Sequence, residues 1–233
     1  MRKNMFLICL ISTFLFLGCV HGGMKIVDPV QVSPQNYKVL LDNEYVRILE
    51  ITAKSGEKDE MHSHPASAWY AVSSSKIRLH DTDGSSKDID IEAGTSNFQD
   101  AVAMHSMENI GNNDVKIVMV ELKDKKPPVL EEKGPDPLKV SPDVYRLLSE
   151  NDTVRILELT TKPGQKDNMH GHPANVFYVL SGQSGKLYDE QGEVIELTIS
   201  AGTASYQNAT QNHQFENSGD TEIKVIMFEL KSK

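Results

Sequence analysis

Six histidines are set in this 233-residue chain as two matched trios. His62 and His64 flank one residue in Met61-His62-Ser63-His64-Pro65, and His170 and His172 do the same in Met169-His170-Gly171-His172-Pro173. His105 follows His64 by 41 residues, and His213 follows His172 by 41, each leading after three residues into Glu-Asn-x-Gly. Side chains alternate along an extended strand, so the two imidazoles of His-x-His share a face and can reach one ion. Three neutral imidazoles suit a divalent Zn, Fe, Ni or Cu ion and leave positions open for water or a substrate. The other two histidines fall outside the pattern. His21 reads as solvated linker, and His80, matched by Tyr188, as a strand-surface residue.

The trios belong to a longer repeat. From Asp28 to Lys125 the sequence aligns with Asp136 to Lys233 at a constant offset of 108, without a gap, and 44 of the 98 pairs are identical. Internal duplication is the economical account. The repeat divides the chain into domains at 28–125 and 136–233, joined at 126–135 by a proline- and charge-rich linker of the semi-rigid kind.

Within each half the segments that must carry the histidines are short and rich in alternating or β-branched residues. Val46–Thr52, Ala68–Val72, Lys76–His80, Ile89–Ile91 and Val115–Leu122 read as strands, with hairpin turns at Asp81–Gly84 and Asp189–Gly192. No sustained helical period occurs after the leader. The expected fold class is all-β, two small antiparallel barrels or sandwiches in tandem.

Gly56 and Gly164 precede their His-x-His pairs by six residues, and Gly94, Gly202, His105/Asn109 and His213/Asn217 follow; Tyr178-Val-Leu-x-Gly182 completes the first motif in the second half. These spacings resemble the two signature motifs of the cupin superfamily, over essentially everything from residue 28 onward. The chain resembles a bicupin, with Glu92 and Ser200 standing where the second motif usually has proline. The resemblance implies two jelly-roll barrels with a metal or ligand site in each mouth, packed together about a pseudo-two-fold axis. It also implies a glutamate ligand shortly after His-x-His. That slot falls at Ser67 or Ala68 and at Asn175 or Val176, so no carboxylate fills it. The metal set expected here is therefore His62, His64 and His105, with His170, His172 and His213.

Candidates for the ligand pocket are Gln99, Gln207, Asn175, Tyr70, Tyr178, Phe98 and Tyr206. Asn175 and the two glutamines offer amide groups to an ion, a ligand or a histidine, or satisfy nearby backbone. The aromatics could stack on a ligand or simply fill core, and Tyr70 and Tyr178 could donate a proton. Spacing places no Asp, Glu or Lys beside the histidines. Glu108 and Glu216 are expected to fix the turn before the last strand.

With 24 Lys and Arg against 33 Asp and Glu, the net charge of −9 argues against nucleic acid as a partner. Arg2 and Lys3 followed by an apolar run to Leu17 read as an export signal over 1–18, too short to span a bilayer. Phe16-Leu17-Gly18-Cys19 resembles a lipoprotein cleavage site, making Cys19 the lipidation position, with 19–27 a tether. The expected location is the bacterial cell envelope, periplasmic and lipid-anchored, with a soluble periplasmic protein as the alternative. Membrane contact then comes only through the lipid. The functional expectation is an exported bicupin holding a divalent metal, a small-molecule ligand, or both. The alternative is a metal-dependent cupin enzyme of dioxygenase or isomerase type, and whether the chain is an enzyme stays open, as does homo-oligomerisation.

Overall fold

The computed structural model describes residues 26–130 and 134–231. The export signal, Cys19, His21 and most of the tether lie outside the described residues, as does the centre of the linker. Among the described residues no helix is long and apolar enough to cross a membrane.

The first half runs α1 (Pro29–Val32), β1 (Tyr37–Asp42), β2 (Val46–Ala53), β3 (His62–His64), β4 (Ser67–Ala71), β5 (Ser75–Asp81), β6 (Ser86–Ile91), β7 (Ser96–Gln99), β8 (Val102–Asn109) and β9 (Val115–Leu122). The second repeats it as α2 (Pro137–Val140), β10 (Tyr145–Glu150), β11 (Val154–Thr161), β12 (His170–His172), β13 (Asn175–Ser181), β14 (Ser184–Tyr188), β15 (Val194–Thr198), β16 (Ala204–Gln207), β17 (Thr210–Asn217) and β18 (Ile223–Leu230). The single-turn helices are not foreseen by the sequence reading. Each has Pro at its first position and an Asp N-cap, Asp28 or Asp136, accepting from the backbone two residues on.

Each half is a jelly roll of two antiparallel sheets. In the first, a five-stranded sheet ordered β1-β2-β9-β4-β7 faces a four-stranded sheet ordered β3-β8-β5-β6; the second half repeats both orders. The five-stranded sheets are buried on both faces. Leu49, Ile51, Ala71, Ile117 and Met119 point into their own barrel, whereas Val46, Ile48, Ala68, Val118 and Val120 point outward. There they form one continuous core with Val154, Ile156, Val176, Ile226 and Phe228 of the other half. The contacts are reciprocal, β1 meeting β16 and β10 meeting β7, as a pseudo-two-fold relation requires. Tyr45 stacks on Tyr206 with ring centres 5.5 Å apart, and Ser96 Oγ lies 2.8 Å from Ser149 Oγ.

This shared core makes the halves one cooperative unit. Phe228 is fully buried in it, so Phe228→Ala is expected to cost about 3–5 kcal/mol in urea unfolding. Both halves should then melt together, earlier than in the parent. Separate transitions, with only one displaced, would show that the shared face does not couple them.

Candidate metal centre

The three-residue strand β3 puts both His62 and His64 on its inner face, and antiparallel pairing sets His62 directly opposite His105 on β8. The second half pairs His170 with His213 in the same way. The intervening residue faces outward into a tight gap. A Cβ on Gly171 would lie 2.1 Å from the Gln211 carbonyl oxygen, so only glycine fits there. Ser63 fills the equivalent place by bonding its hydroxyl to the Val27 backbone, accepting at 2.7 Å.

The imidazoles converge through their Nε2 atoms. His62 Nε2 lies 3.0 Å from both His64 Nε2 and His105 Nε2, and His170 Nε2 lies 2.9 Å from His172 Nε2. The ligand atoms of each trio fall within 4.8 Å of one another. Backbone and carboxylate acceptors dictate the tautomers. His62 Nδ1–H donates to the Glu60 carbonyl at 2.7 Å, and His64 Nδ1–H to Glu121 Oε1 at 2.8 Å. His170 donates to the Asn168 carbonyl at 2.7 Å and His172 to Glu229 Oε1 at 2.6 Å. With Nδ1 protonated, the Nε2 atoms of each His-x-His pair present lone pairs to each other, an arrangement that is repulsive until a cation stands between them. Nitrogens about 2.1 Å from one ion lie roughly 3 to 4 Å apart, which the observed spacing meets. The residues present fit a metal ion.

Burial favours the neutral form of His62, His105, His170 and His213. It pushes His105 and His213 down to about 3, helped by the neighbouring histidines, and His170 down to about 4; His62 is lowered as well. Neutral imidazole is the ligand form.

Carboxylates absent from the sequence expectation surround the trios. The reading that no Asp or Glu stands beside the histidines is wrong: strand pairing brings in glutamates 57 residues away, and the loop before each His-x-His pair turns in an aspartate only three residues upstream. Glu121, on the last strand of the first half, bridges His64 and Arg47, whose Nε is 2.5 Å from Oε2; Arg47 Nη1 continues to Asp28 at 3.0 Å. Glu229 bridges His172 and Arg155, and Arg155 reaches Asp136 at 2.9 Å. Burial alone would raise both glutamates, but the histidine and arginine hold them below the usual carboxylate range. Asp59 takes the Tyr37 hydroxyl at 2.7 Å and the Met107 backbone at 2.5 Å. Its counterpart Asp167 takes Tyr145 at 3.1 Å and Phe215 at 2.7 Å. Burial raises both, Asp167 to about 6. A signal was available: Tyr37, Arg47, Asp59 and Glu121 are all identical in the second copy at offset 108.

Four pocket candidates point the other way. Tyr70, Tyr178, Phe98 and Tyr206 lie on the outward faces of β4, β13, β7 and β16, within or against the core between the halves. Tyr178 spends its hydroxyl on Glu50 at 2.9 Å, so neither tyrosine is placed to donate a proton at the histidines. Strand alternation puts Asn175, Gln207 and Gln99 on the inward face instead. Asn175 pairs in register with Gln207 and with Glu229, and Ser67 with Gln99 and Glu121. Asn175 Oδ1 and Ser67 Oγ are buried without a hydrogen-bond partner. They are orphaned polar atoms on the histidine side of the sheet, where a ligand could satisfy them. The turn before β9 is fixed by Asn109, not Glu108. Its amide donates to the Ala53 and Asn113 carbonyls and its Oδ1 accepts from Gly111 N. Asn217 does the same in the second half. Glu108 and Glu216 instead accept from His80 at 2.9 Å and Tyr188 at 2.6 Å. A cavity of about 450 Å³ is lined by Pro128–Leu130, Arg155, His172 and Glu229 but by neither His170 nor His213, so it opens on the carboxylate side of the trio.

Two jelly-roll barrels sharing a core, each with a trio of converging histidines, define the architecture of a tandem cupin. Residues 157–229 match the Cupin domain family, and the internal repeat extends that likeness to the first half. AerE from Microcystis aeruginosa has a similar fold, with a TM-score of 0.63 and 15% identity over 89% of this chain and 98% of that one. A single-substitution variant of the oxalate decarboxylase of Bacillus subtilis gives 0.58 and 15%, over 87% and 71%. Lactobacillus farciminis oxalate decarboxylase, in a formate complex, gives 0.55 and 14%, over 80% and 77%. No curated protein matches the chain. The family match covers residues 157–229, and the solved structures show that the fold is shared across both halves.

Proposed function

We propose that this protein is an exported bicupin that holds one divalent metal ion in each barrel, through His62, His64 and His105 and through His170, His172 and His213. The observation that carries the reading is the mutual approach of Nε2 lone pairs, fixed in that tautomer by Glu60, Glu121, Asn168 and Glu229. A bound ion would polarise an oxygen-bearing ligand or activate bound water. Asn175 Oδ1 and Ser67 Oγ would accept from that ligand, and Glu121 and Glu229 hold the histidine rings in place. Zinc, iron, nickel and copper suit the imidazoles, and the oxalate decarboxylase of Bacillus subtilis has Mn(II) centres. Export and lipidation at Cys19 rest on the basic, apolar leader and its Leu17-Gly18-Cys19 ending.

A second reading, a metal-dependent enzyme acting on a small metabolite, gains from one observation. Asp167, raised to about 6 by burial, is hydrogen-bonded to Tyr145 beside His170, and so offers the acid or base that spacing alone does not reveal.

The test is metal content. The purified chain should bind two equivalents of zinc or manganese, one per trio, and the His170→Ala/His172→Ala variant should bind one. If both proteins bind the same amount, or none, the histidine trios are not the sites. Oxygen uptake or turnover of small carboxylates then separates enzyme from binding protein.

A further inference from the structure

The geometry points to a fourth protein donor in each centre, the phenolic oxygen of Tyr37 in the first barrel and of Tyr145 in the second. The inference rests on the histidine trios binding metal. Tyr37 Oη lies 3.0 Å from His62 Nε2, and Tyr145 Oη 3.0 Å from His170 Nε2. Those are the same nitrogens, at about the same distance, on which the other imidazoles close in.

The tyrosine cannot be dismissed as a simple donor to the histidine. Its single hydroxyl proton has two acceptors in reach, His62 Nε2 at 3.0 Å and Asp59 Oδ2 at 2.7 Å, and the charged, nearer carboxylate takes it. The phenolic oxygen then turns a lone pair toward His62 Nε2, itself a lone pair because Nδ1 donates to the Glu60 carbonyl. Two acceptors facing each other at hydrogen-bond distance inside a buried site make sense around a cation. The other barrel has the same partners, with Asp167 and Asn168 in the roles of Asp59 and Glu60; there the two acceptors are nearly equidistant, His170 Nε2 at 3.0 Å and Asp167 Oδ2 at 3.1 Å, and the charge of the carboxylate decides.

The arrangement also supplies what the Ser67 and Asn175 positions lack, an oxygen donor beside three imidazoles, one that can carry negative charge. It comes from β1 and β10 at the start of each half, ahead of the His-x-His motif. On coordination the phenolic O–H bond breaks, an oxygen–metal bond forms, and the proton passes to the aspartate oxygen it already bonds. Rigid placement comes from burial: Tyr37 is 4% exposed and Tyr145 3%.

The test uses the full mature chain loaded with cupric or ferric ion, whose bonds to phenolate absorb visible light. The parent should show a tyrosinate-to-metal charge-transfer band, with phenolate modes in resonance Raman excited within it. In Tyr37→Phe/Tyr145→Phe the band should vanish, two equivalents should still bind, and affinity should fall by about tenfold or more. The Raman measurement needs no variant and stands even if the double variant folds poorly. Two bound equivalents in the parent without band or phenolate modes would overturn the tyrosine ligand and leave the histidine sites standing. Failure of the parent to bind metal would remove both.

Discussion

Lowering the pH from 6.5 to 5 in the presence of a chelator is expected to cost the protein on the order of 5 kcal/mol of unfolding free energy. The cause is the buried imidazoles. His105 and His213 are held down at about 3 and His170 at about 4, whereas in the unfolded chain each protonates near 6.5. Between those values the unfolded state binds more protons than the native one, so stability falls as pH falls, by about 1.4 kcal/mol per pH unit for each histidine. Asp167 acts in the opposite sense. Raised to about 6, it takes a proton in the native state first, and offsets about one histidine's worth of the slope below pH 6. Glu121 and Glu229, held below the usual carboxylate range, withdraw further stability once the pH passes below about 4.5. Domains of this size are held by about 5–15 kcal/mol, so the chelated protein should approach unfolding near pH 5. Urea titrations at half-unit pH steps provide the measurement. A flat profile from 7 to 5 would mean that the histidines titrate freely and are not buried together.

Glu229→Ala should lower both the stability of the protein and the metal affinity of the second barrel. Glu229 is 1% exposed and ties the Arg155 guanidinium to the His172 ring. Removing it leaves Arg155 with Asp136 alone and His172 Nδ1–H with no acceptor. Breaking a buried charge pair from one side costs about 3–5 kcal/mol, and loss of such a support lowers metal affinity about 10- to 100-fold. The first barrel, held by its own Glu121 and Arg47, serves as an internal control and should keep its affinity. Glu229→Gln retains an acceptor oxygen without the charge, so it should recover part of the metal affinity and less of the stability. Competition titration with a chromophoric zinc chelator, alongside urea unfolding, reads both. Equal affinity at both sites of Glu229→Ala would show that the carboxylate does not orient the histidine.

How far the sequence reaches differs from element to element. Val46–Thr52 and Val115–Leu122 are legible as strands because they are long, β-branched and bounded by turns, and both appear, as β2 and β9. Their two buried faces are not legible as two. A strand covered on both sides shows a nearly continuous apolar run, and nothing in that run says which side faces its own barrel and which the other half. For that reason the sequence assigns Tyr70, Tyr178, Phe98 and Tyr206 to the pocket although their faces belong to the core between the halves.

The sequence by itself determined the duplication, the all-β class and the two trios of histidines, because a gapless repeat and a period of two are local properties of the chain. Only the tertiary structure decided what surrounds those histidines. Glu121 and Tyr37 come from two different strands, β9 and β1, and β9 reaches His64 only by crossing 57 residues of sequence. Such neighbours are set by sheet order and register, which depend on the whole fold closing at once and leave no spacing to read.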